Sequence, residues 1–170
     1  MRRELMAAAL ALLLCGAAQA QSSCTLVFGQ GRNAPEPGGP DWDALNERFN
    51  TAMADTLQAQ GRRVVPMTAP AVQVDPQAAG IALLREADRL GCATLAETAV
   101  FADEQEQLVL RLRVYPLLPQ LGDGGAIVGL RIGTPLFVTQ REAARAALTR
   151  LKPELIAAQM AAEYLRHDQR

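Results

Sequence analysis

Residues 91–117 read GCATLAETAVFADEQEQLVLRLRVYPL, and this stretch decides the fold. Two apolar runs, at 92–101 and 108–117, flank the charged sequence ADEQEQ, and this pattern predicts a β-hairpin. In the second run Leu, Leu, Leu and Val alternate with Val109, Arg111, Arg113 and a tyrosine. Because successive side chains of a strand point to opposite faces, this strand is predicted to have one buried and one partly wet face.

Strand and helix signals alternate upstream of the hairpin. Short apolar runs at 24–28 and 63–67 predict two strands, and a helical spacing of apolar residues follows each of them. Asp41 or Asp43 is a candidate N-cap for the first helix, and Asp75 for the second. Because strand–helix–strand units form right-handed crossovers, these strands are predicted to be parallel.

The end of the chain predicts a last strand and a last helix. Residues 127–138 form a strand-like run that is interrupted by glycine and proline. Thr139 and Glu142 have the spacing of a capping box and predict a helix start. Pro153 is expected to kink that C-terminal helix.

The first twenty residues, MRRELMAAALALLLCGAAQA, predict a secretory signal peptide. Two arginines precede an apolar run, and small residues frame a cut before Gln21. We therefore expect a signal peptide at 1–20 and a single α/β domain at 21–170, with no transmembrane segment in the mature chain. The formal charge is −1, and loss of two arginines and one glutamate makes it −2. That charge does not favour a nucleic-acid partner.

Two cysteines, Cys24 and Cys92, remain after removal of the predicted signal peptide. An even number of cysteines in an oxidising compartment favours a disulfide between them, and we expect a periplasmic or secreted protein. In the alternative interpretation, Cys24 carries a lipid anchor at the end of a lipoprotein signal.

The disulfide and the alternation together predict the sheet. Bridged Cα atoms lie within about 7 Å, so the first and third strands, which begin at Cys24 and Cys92, must be parallel neighbours. The predicted fold is a three-layer α/β/α domain with a mixed five-stranded sheet in the order 2-1-3-4-5, with strand four antiparallel.

The side chains that most enzymes need are scarce. Ser22 and Ser23 are the only serines and His167 is the only histidine, which leaves no material for a Ser-His-acid triad or a His-rich metal site. We expect no catalytic, cofactor-binding or metal-binding residues and no enzyme activity. Residues 29–31, GQG, resemble a phosphate-binding turn only superficially because they continue into a proline-rich loop. A hydrolase using the carboxylates of the hairpin turn is a distant alternative, and its candidates are Asp103, Glu104 and Glu106.

Three arginines are candidates for contact with a partner. Arg111 and Arg113 share one strand face, and Arg131 is expected on the next strand with the same orientation. Such a stripe could bind a carboxylate-rich partner, because arginine binds carboxylates in a bidentate manner. In the alternative interpretation the face is simply solvated, and its arginines pair with the glutamates at 97, 104 or 106.

The layout βαβα followed by GCATLAETAVF and LVLRLRVYPL resembles the small periplasmic α/β domains of the N-terminal part of TolB, the CsgG family and LpoB-type activators of penicillin-binding proteins. The resemblance covers about residues 24–138 and lies in the pattern of elements. It implies a domain that docks onto other envelope proteins. The expected function is an exported, non-enzymatic envelope accessory protein whose partner is another envelope protein. The alternative is a binding module for a small envelope or cell-wall ligand.

Overall fold

The structure, a computed structural model, describes residues 24–72 and 75–169. The predicted signal peptide at 1–20 and both serines lie outside the described residues. The described chain forms strands, helices and one short 3-10 helix at Arg145–Ala147. In chain order the other elements are β1 (Cys24–Gln30), α1 (Trp42–Ala59), β2 (Val64–Ala69), α2 (Pro76–Leu90), β3 (Cys92–Ala102), β4 (Gln107–Leu121), β5 (Ile127–Ile132), β6 (Phe137–Ala144) and α3 (Pro153–Asp168).

The strands form one mixed sheet. Its order is β2-β1-β3-β4-β5, with β6 also paired to β4, which confirms the predicted order 2-1-3-4-5. β1 is parallel to β2 and β3, and β4 is antiparallel to β3, β5 and β6. The helices of the two crossovers begin at predicted caps, because Asp41 and Asp75 accept hydrogen bonds from backbone N–H groups at the starts of α1 and α2.

The prediction of five strands was wrong, because residues 127–138 do not form a single strand. β5 pairs with the second half of β4, and β6 pairs with the first half. Between them the Gly133 N–H donates to Pro116 O at 2.9 Å and the Leu136 N–H donates to Val114 O at 2.7 Å. β4 spans 15 residues and is therefore long enough to take two partners end to end.

The predicted disulfide between Cys24 and Cys92 is present. The two residues are Cα partners in the ladder of β1 and β3, and their Cα atoms lie 4.1 Å apart. Both cysteines are buried, at 1% and 4% exposure. The disulfide therefore joins the first residues of two neighbouring parallel strands.

One face of the sheet is covered by α1 and α3, which also pack on each other. The buried side chains of this face are almost all apolar, and burial stabilises each large one by roughly 1.5–3 kcal/mol. The sheet contributes mainly alternate residues of β3 and β4, and the helices contribute one apolar stripe each. The cluster comprises Val27, Trp42, Phe49, Met53, Ala54, Leu57, Ala96, Val100, Leu108, Leu110, Leu112, Val114, Ala157, Met160, Ala161 and Tyr164.

The opposite face carries a smaller cluster under α2. Leu83 and Ala87 of α2 pack against the disulfide, Leu26 and Leu95. α2 also contacts β5. The helices thus lie on both sides of the sheet, as the predicted three-layer α/β/α architecture requires.

The prediction for the C-terminal region was wrong in two respects. Thr139 and Glu142 do not cap a helix but belong to β6, where alternate side chains face α3. There the Thr139 hydroxyl donates to Glu163 at 3.2 Å, and Arg141 forms an ion pair with the same carboxylate. Pro153 does not kink a helix but begins α3, because the first helical position needs no backbone N–H donor.

Candidate functional site

The carboxyl ends of β1 and β2 are the first place to look for a site, because open α/β sheets bind ligands there. A cavity of about 320 Å³ opens at this edge and is lined by Gly29, Asp41, Asp43 and Thr68. A Cβ on Gly29 would lie 2.9 Å from the Asn50 side chain, and a Cβ on Gly31 would lie 2.4 Å from Asp43 Oδ1. The two glycines of the GQG turn thus let side chains of α1 approach the backbone.

Two asparagine side chains bond the backbone of β3 beyond the point where β1 ends. The Asn46 side chain accepts from Val100 N at 2.7 Å and donates to Val100 O at 2.8 Å. Asn33 makes the same pair of bonds to the backbone of Ala102, at 2.9 and 3.2 Å. They satisfy backbone groups of β3 that would otherwise lose a partner where β1 stops. The crevice between β1 and β3 is therefore filled by the chain itself.

The start of α1 is also occupied by its own side chains. Asp41 accepts from Ala44 N at 3.0 Å, and Asp43 accepts from Ala71 N at 3.0 Å. A phosphate would need N–H donors at this position and would meet two carboxylates instead. The GQG turn thus serves the fold.

The carboxylates of the turn between β3 and β4 have structural partners. Asp103 accepts from Gln105 N at 3.0 Å and from Gln107 N at 2.8 Å. Glu106, which adopts a positive φ of 59°, forms an ion pair with Arg145. These contacts stabilise the turn and assign two of its three candidate carboxylates a structural role.

A second candidate lies on the face of the sheet that carries α2, beyond the reach of that helix. This surface is a regular grid of side chains from three strands, and none of its residues belongs to either apolar cluster. We call it the arginine face. It comprises Glu97, Ala99 and Phe101 of β3, Val109, Arg111 and Arg113 of β4, and Val138, Gln140 and Glu142 of β6.

The ladder places the two predicted arginines at the centre of this surface. Arg113 lies between Glu97 and Val138, and Arg111 lies between Ala99 and Gln140. On the β6 side Val138 is 54% exposed, and Gln140 is exposed as well. The arginine face therefore opens to solvent along its outer strand.

An aromatic ring holds two guanidinium groups on this surface. The Cζ atoms of Arg32 and Arg111 each lie 5.1 Å from the centroid of the Phe101 ring. At this distance the ring attracts both cations. Ala99, the cross-strand partner of Arg111, is only 1% exposed. Its small side chain leaves room for the guanidinium to lie over the sheet.

Both carboxylates of the arginine face have hydrogen-bond partners, and Glu142 accepts from the Gln140 side chain at 2.6 Å. Glu97 accepts a hydrogen bond from Arg32 at 3.3 Å and another from the Tyr115 hydroxyl at 3.1 Å. Within the described ranges neither Arg111 nor Arg113 forms an ion pair with Glu97, Glu104 or Glu106.

Arg111 is the most constrained of these groups. Its Nη2 atom is buried and has no hydrogen-bond partner in the part of the chain that is described. Burial lowers the pKa of Arg111 from its ordinary value, the nearby charges of Arg32 and Arg113 lower it further, and the charge of Glu97 opposes the shift. An arginine nevertheless stays charged at neutral pH. The arginine face therefore holds a cation that forms no ion pair within residues 24–72 and 75–169.

Arg131 does not join the other two arginines. It lies on β5 opposite Leu118, whereas the strand beside Arg111 and Arg113 is β6. Its neighbour Leu130 packs in the cluster under α2, so Arg131 points to the other side of the sheet. The expected common orientation was wrong because the break at Gly133 changes which strand lies beside the first half of β4.

Arg32 and Phe101 were not among the predicted contact residues. Phe101 has the apolar character of a core residue, and Arg32 lies in a loop with no periodicity. One signal was available, since Arg32 follows β1 by two residues and β1 was predicted beside β3. That placement puts Arg32 near the end of β3, where Phe101 lies.

These features define the chain as a disulfide-bonded α/β domain with one partly uncovered sheet face. No protein-family model and no curated protein sequence matches it, so the resemblance to envelope docking domains stays a prediction. No helix in the described ranges is long and apolar enough to cross a bilayer. Nor do residues 24–72 and 75–169 bring together three side chains that could hold a metal ion.

Proposed function

We propose that this chain is an exported, non-enzymatic accessory protein of the cell envelope that docks onto another envelope protein through the arginine face. One observation carries the proposal. α1 and α3 cover one face of the sheet, whereas the half of the other face around Arg111 and Arg113 has no covering element among the described residues. An ordered face with unpaired cations is a surface suited to a protein partner.

The proposed location is the periplasm or the extracellular space. The disulfide is compatible with an oxidising compartment outside the cytoplasm. We expect the intact mass of the exported protein to begin at Gln21 and to lie two hydrogens below the reduced value. An acyl group on Cys24, or two free thiols, would contradict this proposal.

Docking can be tested by photo-crosslinking in the native host. A photoreactive amino acid replaces Gln140 on the arginine face or, as the matched control, Asp55 on the exposed side of α1. We expect one discrete crosslinked envelope protein from position 140, and its loss in the double variant Arg111→Glu/Arg113→Glu. Equal crosslinking from both positions, or none from position 140, would contradict docking through this face.

A further inference from the structure

The chemistry of the arginine face indicates what its partner presents. Three guanidinium groups, from Arg32, Arg111 and Arg113, lie on this surface with two carboxylates, those of Glu97 and Glu142. Glu97 is bonded to Arg32 and Tyr115, and Glu142 accepts a hydrogen bond from Gln140. Neither arginine of β4 forms an ion pair in the described chain. Charge complementarity therefore favours a partner surface that brings carboxylates.

Arg111 is also prepared for such a contact before a partner arrives. The Phe101 ring and the small Ala99 fix the position of its guanidinium, so binding restricts few rotamers. Its buried Nη2 N–H group has no acceptor in the described chain, and an unsatisfied buried donor costs free energy. A carboxylate beside the partly exposed Arg111 side chain would offset the repulsion from Arg32 and Arg113.

The spacing of the two arginines limits the shape of the ligand. Arg111 and Arg113 are two residues apart on one strand, which separates their Cα atoms by roughly 7 Å. Carboxylates at alternate positions of an extended peptide have the same separation. A helical segment would reach a similar separation only with carboxylates three or four positions apart, so alternate carboxylates are specific to an extended segment.

We infer that the arginine face binds an extended acidic segment of the partner protein, in which two Asp or Glu side chains at alternate positions pair with Arg111 and Arg113. This inference rests on the proposed function and names the chemistry of the partner. Arg32 stays bonded to Glu97 and keeps the Phe101 ring in place beside Arg111.

The test measures binding of labelled peptides to the mature chain by fluorescence anisotropy at low salt. The probe peptide has glutamate at every second position, separated by alanine. One control peptide has glutamine in place of glutamate, and another has the same glutamates moved into adjacent pairs. We expect the alternating peptide to bind most tightly, and the glutamine peptide to lose about tenfold or more in affinity.

Matched variants separate a specific site from general charge. The double variant Arg111→Gln/Arg113→Gln should weaken binding of the alternating peptide by about tenfold or more. The control Arg131→Gln/Arg150→Gln removes the same charge elsewhere and should change affinity by less than about twofold. Thermal melts verify that the variants fold. Should the glutamine pair fail to fold, Arg111→Lys/Arg113→Lys keeps the charge, loses the bidentate contact and should still weaken binding.

Several results would overturn the inference. The first is an equal loss of peptide affinity in both double variants, and the second is no preference for the alternating peptide. The third is that a soluble muropeptide displaces the labelled peptide at lower concentration than the unlabelled peptide does. A dimer seen in sedimentation that Arg111→Gln/Arg113→Gln dissociates would assign the face to a second copy and also overturn it. Crosslinking from position 140 that survives in the glutamine variant would refute the inference but leave the proposed docking intact.

Discussion

The two faces of the sheet have opposite chemistry although they are built from the same strands. On the face under α1 and α3, β4 contributes Leu108, Leu110 and Leu112, each fully buried. On the other face the same strand contributes Arg111 and Arg113, which are partly exposed and lie beyond the cluster under α2. The first face stabilises the fold, whereas half of the second carries no helix in the part of the chain that the structure describes.

The difference shows that one strand can serve the core and a surface at once. Because the side-chain period of a strand is two, a single residue of register separates leucine from arginine. β6 repeats the pattern, since Thr139 and Arg141 face α3 whereas Val138 and Gln140 lie on the arginine face. The comparison leads to four predictions, which follow from the largest expected effect to the smallest.

Two phenylalanines test the comparison directly. Phe49 of α1 is fully buried against the sheet, and Phe101 lies half-buried on the arginine face. We expect Phe49→Ala to lower the free energy of unfolding by about 3–5 kcal/mol, because it opens a cavity in a packed core. Phe101→Ala should cost less than about half of that, measured by urea denaturation. Equal losses would mean that the arginine face is packed like a core.

The second prediction concerns the disulfide, which lies on the side of the sheet that α2 covers. It joins residues separated by 68 positions, and loss of such a link should lower the free energy of unfolding by about 2–4 kcal/mol. The double variant Cys24→Ala/Cys92→Ala supplies the measurement. As the control, reductant should lower the melting temperature of the natural protein and leave that of the variant unchanged. Insensitivity of both to reductant would contradict the prediction.

The third prediction concerns the two asparagines that bond the backbone of β3 beyond the end of β1. Asn46→Ala leaves the Val100 N–H and C=O groups buried without their partner, and we expect a loss of about 1–3 kcal/mol in unfolding free energy. Asn33→Ala should cost less, because Asn33 is only partly buried and water can replace it. Chemical denaturation of both variants checks the order, which the reverse ranking would contradict.

The last prediction concerns Tyr164 of α3, on the covered face. Burial raises the pKa of Tyr164, the nearby Asp168 adds to the increase, and Arg62 opposes it. Because its pKa is raised in the folded state, the folded protein holds the Tyr164 proton more tightly than the unfolded chain does. The resulting contribution to the free energy of unfolding is full below the unfolded pKa of about 10 and is lost as pH rises through the folded pKa. The melting temperature should therefore fall above about pH 10 more steeply in the natural protein than in Tyr164→Phe.

An identical alkaline decline in melting temperature in the natural protein and in Tyr164→Phe would show that burial of Tyr164 does not contribute.

The sheet order could be predicted because local signals and one long-range constraint agreed. Alternation of strands and helices fixed the parallel half, and Cys24 and Cys92 fixed which strands are neighbours. The C-terminal region could not be predicted in the same way. Residues 139–142, TQRE, suit a helix start locally, but pairing with β4 and the contacts to Glu163 favour a strand.

The candidate site was predicted only in part. The alternation in β4 placed Arg111 and Arg113 on one face, since that depends on local period alone. The position of Arg131 depends on which strand pairs with which half of β4, and sequence pattern carries little information about that. The roles of Arg32 and Phe101 depend on tertiary contacts between a loop and a strand end.

The link between Cys24 and Cys92 also affects how the domain withstands proteases. It closes residues 24–92 into a covalent ring that contains β1, α1, β2 and α2. A single peptide-bond cut anywhere inside that ring, including the proline-rich loop after β1, leaves both pieces attached to each other. Among the proteases of an extracytoplasmic space, a nicked molecule would thus keep all its strands within one covalent unit.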